Sequence, residues 1–164
     1  MYIFRLILTA NLLLLLSGIS LPVLAAEDGI KVTSIAEVAV EVIQNGKKVI
    51  VRSSPEKAIP GTVVIFTNHF ENVSQKAASD IVMSNAIPAN TVYQAGSAFG
   101  TDCAIDFSVD GGKTFALAKN LQLRDTDGRE HTAQAAQYTH IRWHYVGELA
   151  AGKSGEVGFR AIIK

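Results

Sequence analysis

An all-β domain, built as two antiparallel sheets packed face to face, is the fold this sequence predicts. Three observations carry it. Side chains alternate apolar and polar with period two along most of the chain, the alternating runs are short, and Gly, Asn, Asp or Pro separates them. Such a run turns one set of side chains to a core and the other to water, and two sheets of this kind bury their apolar faces against each other.

The N-terminus follows a different pattern. Arg5 precedes Leu6 to Leu8 and then Leu12 to Leu16; Ser17, Gly18 and Pro22 follow, and Val23-Leu24-Ala25-Ala26 closes the segment. A positive start, an apolar stretch and small residues at the cut make up a secretory signal, with cleavage expected after Ala25. The apolar part is near the lower limit for spanning a bilayer, and no cysteine follows it to take a lipid. Residues 1–25 are therefore assigned to a signal peptide, 26–34 to a lead-in and 35–164 to one β-sandwich domain.

The signal distorts the composition. Of 164 residues, 48% are hydrophobic, with 15 basic and 15 acidic side chains. Removing the first 25 leaves 139 residues at about 44% hydrophobic and a charge of about −1, ordinary values for a soluble domain. No Lys/Arg cluster suits nucleic acid or an anionic membrane, so neither is expected as a partner after cleavage. A single Cys excludes an internal disulfide and a four-cysteine zinc site. No anchor is read at Ile163-Lys164, and the mature protein is expected in the periplasm or outside the cell.

Along the mature chain, Glu37 to Val42 sets valines on one side and acids on the other; Asn45-Gly46 supplies a tight turn, and Val49 to Val51 begins the return strand. Val63 to Phe70 is rich in β-branched and aromatic residues, and Ile81 to Met83 is a shorter strand closed by Pro88. Cys103, Ile105, Phe107 and Val109 share a face, which makes Cys103 a buried, unreactive thiol in expectation. Thr139, Ile141, Trp143 and Tyr145 oppose Tyr138, His140, Arg142 and His144. In the last strand Val157, Phe159, Ala161 and Ile163 share a face. A helical stretch is allowed at Thr132 to Gln137, about one and a half turns at most. Roughly seven to nine strands in a chain of this length match an immunoglobulin-like sandwich in size.

Several motifs invite chemistry. Gly147 to Ser154 satisfies the phosphate-loop expression G-x-x-x-x-G-K-[ST], but a strand-like run follows where the loop needs a helix. It is read as a hairpin turn between the Trp143 strand and the last one. Ser108-Val109-Asp110-Gly111-Gly112-Lys113-Thr114-Phe115 resembles the Asp-box hairpin of extracellular domains. In it Ser108, Asp110, Gly112 and Phe115 have structural roles: the carboxylate accepts turn amides, glycine takes positive φ, and the aromatic packs beneath. Asp125 and Asp127, before Gly128, look like the opening of a calcium loop, but no third ligand follows at regular spacing and Arg129 intrudes. An acidic turn is the plainer reading. Asn72-Val73-Ser74 is a glycosylation acceptor in a host that uses such sites.

No nucleophile elbow or metal cluster is found, and no cofactor is expected. Tyr138, His140, Arg142 and His144 form an aromatic and cationic stripe, the one candidate surface for a carbohydrate or small ligand. A secreted hydrolase would have to use Asp106, Asp110, Asp125 or Asp127 as paired carboxylates.

The order of the pieces is similar to one family. Pro60 to Phe66, then Asn72, Ala78 to Met83 and Ile87 to Ala98 resemble the conserved-repeat domain of bacterial and archaeal surface proteins, itself of unknown function. The resemblance continues through Ser108 to Phe115, Ile141 to Trp143 and Gly152 to Phe159, and so spans roughly residues 35 to 164. It implies an immunoglobulin-like sandwich in cell-surface or envelope architecture, without known catalytic residues. This chain departs from the family in having Asn85 where an acid is common before Ile-Pro, and in being one copy without an anchor. The expected function is a non-enzymatic structural or interaction role with envelope or extracellular proteins, further copies of itself included.

Overall fold

The computed structural model describes residues 29–54 and 59–164; the signal-peptide reading and the first part of the lead-in lie outside these residues. The described chain is all-β. It runs through β1 (Ile30–Gln44), β2 (Lys47–Ser53), β3 (Val63–Asn72), β4 (Val82–Ala86), β5 (Thr91–Tyr93), β6 (Phe99–Gly100) and β7 (Cys103–Ser108). A small hairpin, β8 (Gln122–Arg124) with β9 (Glu130–Thr132), then precedes β10 (His140–Tyr145) and β11 (Ser154–Ile163). The wide sheet has the order β2-β1-β3-β11-β5, with β6 also on β11; the narrow sheet has the order β4-β10-β7. Every pairing is antiparallel.

β1 starts at Ile30, inside the stretch read as lead-in, because Ile30 to Ser34 pair with Asn72 to Asn68 of β3. Its far half, from Val38, pairs with β2 through the expected turn: Asn45 and Gly46 have φ of 52° and 76°. Such values suit the tight two-residue loop that joins right-twisted strands.

The core follows the alternation read from the sequence. Ile141 and Trp143 of β10 and Val157, Phe159 and Ala161 of β11 have no solvent exposure. Phe159 lies 5.0 Å from the ring of Phe66 and 6.3 Å from each of Trp143 and Tyr93, so one side chain joins three strands across both sheets. Offset aromatic packing at these distances adds about 0.5–1.5 kcal/mol per pair beyond burial. At one side the core becomes polar: Ser34 donates to Asn68 at 2.7 Å, and Asn68 donates to Asn85 of β4 at 2.7 Å. This seam seats β4 over β3 through Asn85.

One expectation changes here, and one is met. Residues 146–153 do not form a hairpin, since β10 and β11 belong to different sheets and the segment carries the chain across the sandwich. Thr132 to Gln137 holds one 3-10 turn, Ala135–Gln137, after β9 has ended.

The crossing is held by Asn72. Its carboxamide is fully buried and donates to the carbonyls of Lys76 and Leu149, both at 2.7 Å, while its oxygen accepts from the Ser74 amide and hydroxyl. Its backbone exchanges bonds with Lys153 and Gly152. With both side-chain protons engaged and no exposure, Asn72 offers a glycosyltransferase nothing in the folded protein. Asn72→Ala removes one of two donors to each of these carbonyls and the acceptor of the Ser74 amide and hydroxyl, and is expected to cost about 1–2 kcal/mol. Urea denaturation monitored by Trp143 fluorescence checks this, and a loss below the error of the fit contradicts it.

Candidate functional site

The outward face of β10 is where the sequence places its candidate surface. His140, Arg142 and His144 alternate with buried Ile141 and Trp143, and β7 runs beside them with Arg142 opposite Asp106. The Arg142 guanidinium donates to Asp106 Oδ2 at 2.9 Å, and His144 Nε2 lies 3.4 Å from the same oxygen. The guanidinium carbon also sits 4.2 Å above the Phe115 ring, a cation–π contact that fixes the long side chain flat against the sheet. Asp106, Arg142 and His144 thus form one partly buried cluster, with Phe115 under it.

Tyr138 does not belong to this surface. The extended run begins only at His140, after the 3-10 turn, and Tyr138 packs 4.7 Å from Phe107 and 5.8 Å from Tyr93. Burial, with a smaller effect from Tyr93, raises its hydroxyl pKa, so it stays neutral at physiological pH. His140 is set apart too. Its ring lies against Gly112, where a Cβ would approach within 3.1 Å, and Gly112 has φ of +83°. The expected stripe therefore resolves into an Asp106-Arg142-His144 cluster, a histidine against the Asp-box turn, and a tyrosine in the core wall.

The Asp box has the predicted chemistry. Asp110 accepts from the amides of Lys113 and Thr114, from the Thr114 hydroxyl at 2.6 Å and from the Ser108 hydroxyl at 2.7 Å. Ser108 is fully buried and in turn receives the Gly112 amide. These bonds, those from Thr114 first, hold the Asp110 carboxyl well below the usual carboxylate range. Asp125 also closes its own turn: its Oδ1 accepts from the amides of Asp127 and Arg129 at 3.0 and 2.9 Å. Among the described residues no three His, Cys, Asp or Glu side chains converge as a metal site.

Cys103 is half-buried, not fully buried, because β7 begins there at the sheet's end; Sγ lies 3.4 Å from the Thr101 carbonyl. Desolvation, then the charge of Asp102, raises its pKa and keeps it a thiol.

One feature gives no signal in the sequence. An open cleft of 690 Å³ lies between the sheets beside β6, with Phe70, Phe99, Asp102, Tyr145 and Glu156 among its lining residues. Its floor depends on Gly155, where a Cβ would fall 2.4 Å from the Phe70 ring. Its residues come from four separate segments, which no local pattern connects. Glu156 is turned to His69, whose Nδ1 lies 2.9 Å from its carboxylate. Compared with protein-family models and with curated proteins, the chain matches none.

The depressed Asp110 pKa has a pH signature. A folded-state value below the unfolded value of about 3.9 contributes stability that is present above that pH and lost as pH falls through the folded pKa. Asp110→Asn imitates the protonated form. It is expected to melt several degrees lower than the parent from neutral pH down to about 5, with the gap closing below about 4. A gap independent of pH in thermal melts contradicts the charge-assisted turn.

Proposed function

We propose that the protein is an exported, non-enzymatic β-sandwich that acts by contact with other envelope or extracellular proteins. The observation that carries the reading is the β1–β2 hairpin. Val40, Ile43, Val49 and Ile50 are 39, 75, 37 and 72% exposed, on both faces of a ribbon that runs past the end of β3. A two-stranded hairpin is marginal in water, and clustered exposed apolar side chains mark a surface that meets another protein. The signal-like N-terminus and the resemblance to surface-protein repeat domains support a place outside the cytoplasm.

The polar groups best suited to catalysis are committed elsewhere. Asp110 and Asp125 close their own turns, and Asp106 is shared by Arg142 and His144. The open face of Phe115 that a sugar ring would stack on is taken by Arg142.

Expression of the full chain with a C-terminal tag, followed by cell fractionation and N-terminal sequencing, tests export. The expected product begins at Ala26 and lies outside the cytoplasm. An uncut chain retained in the cytoplasm overturns the reading. Photo-cross-linking from position 43 in intact cells is expected to yield covalent adducts with another envelope protein, and position 119, on the 3-10 turn Ala118–Asn120, to yield few.

A further inference from the structure

The two sheets differ in how their edges are closed. On the wide sheet, β2 pairs with β1 only from Val38 and carries Lys47, Lys48 and Arg52; the rest of that edge, residues 30–37 of β1, carries Lys31 and Glu37, while β5 and β6 are only three and two residues long. On the narrow sheet, the outer side of β7 is capped by Ala116, which exchanges both backbone bonds with Phe107 at 2.9 and 3.0 Å. Charge, shortness and cover are the usual protections of a strand edge. β4 has none of them: Val82-Met83-Ser84-Asn85-Ala86 contains no charge, Pro or Gly, and among the described residues it pairs with β10 alone.

The register shows which groups are left open. Ile87 donates to Thr139 and Tyr145 donates to Ile81, so in the antiparallel ladder Ile81, Met83, Asn85 and Ile87 are the residues bonded to β10. The N–H and C=O groups of Val82, Ser84 and Ala86 therefore point to the free side. Beneath that side lies β1. The Asn85–Asn68–Ser34 seam puts β4 above β3, and the next strand position, about 4.8 Å further, lies above the core-facing side of β1. That side carries Val32, 47% exposed, then Ala36 and, beyond buried Val38, Val40 at 39%.

We infer that this position receives an extended, uncharged segment of another polypeptide, which adds to the narrow sheet beside β4 and lays alternate apolar side chains on Val32 and Ala36. The free main-chain row calls for a strand, and the apolar shelf below calls for apolar side chains at every second residue. Neither β4 nor the exposed side chains of the shelf supplies a charge to be matched. A second copy of β4 does not fit, because it carries its own wide sheet beneath it, in the space β1 already fills. The inference rests on the interaction reading above and specifies its partner.

The test is fluorescence anisotropy with the full chain and a labelled peptide of alternating Thr and Val, against a peptide of the same composition in blocks. The alternating peptide is expected to bind at least tenfold more tightly than the blocked one. Ser84→Pro removes one free-edge N–H without removing a β10 bond, and is expected to weaken binding at least tenfold; Ser84→Val keeps the N–H and is expected to bind like the parent. Val32→Asp is expected to lose binding while its far-ultraviolet spectrum and melting temperature show it folded. Equal binding of both peptides, or by Ser84→Pro, overturns the proposal. So does a sedimenting dimer that Ser84→Pro dissolves, which would assign the edge to a second copy. If position 43 still cross-links an envelope protein in Ser84→Pro cells while peptide binding never depended on Ser84, the strand-addition proposal fails and the broader reading stands.

Discussion

The fold depends on one buried carboxamide. Eight residues separate β10 from β11, and they must carry the chain from the middle of the narrow sheet to the interior of the wide one. Such a crossing leaves carbonyls in the interior, where each unpaired group costs about 1–3 kcal/mol. Asn72, at the end of β3, and the Ala78 amide both donate to the Leu149 carbonyl; Asn72 also ties in the Lys76 carbonyl of the β3–β4 connection, and its own backbone bonds to Gly152 and Lys153 lock the far side of the segment. With that corner fixed, β11 lies against β3 over nine paired residues, and Val157, Phe159 and Ala161 face Trp143 and Ile141.

Sheets of unequal width follow from the same arrangement. The narrow sheet reaches as far as the Asn85–Asn68–Ser34 seam and stops. Past that line Val32 and Val40, on the side of β1 that would be core in a symmetric sandwich, are exposed among the described residues, and β2 extends the sheet as a ribbon. The seam is polar because it is a boundary: amide side chains there satisfy one another and still tolerate solvent on one side. Meanwhile the outward face of the narrow sheet is tied down by ion pairing and by Arg142 on Phe115, so its charged residues stabilise the strand face they project from.

The strand faces were legible in the sequence because period two is a local property. The alternation in β10 and β11, the Asn45-Gly46 turn and the Asp110 turn all read correctly from neighbours in the chain. What failed was whatever depends on partners distant in sequence. Glycines around Gly147 and Gly152 announce a turn, but the same residues serve a hairpin and a sheet-to-sheet crossing alike. Asn72-Val73-Ser74 fits an acceptor pattern, yet its asparagine is buried by residues 77 positions away. Tyr138 continues the polar side of a strand on paper, while a 3-10 turn ends just before it and sends the ring inward. Alternation also says which side of β1 is apolar and nothing about whether a second layer covers it.

The placement of β11 has a kinetic side. Nearly all its contacts reach far back along the chain, to β3, β5 and β6, and it separates β3 from β5 in the wide sheet. Strand pairings of large sequence separation form late, since loop-closure entropy is spent before they contribute. Until residues 154–163 are in place, β3 and β5 have no strand between them and the Phe159 contacts to both sheets are missing. Pairing of large sequence separation thus gathers on the one strand that both halves of the wide sheet wait for.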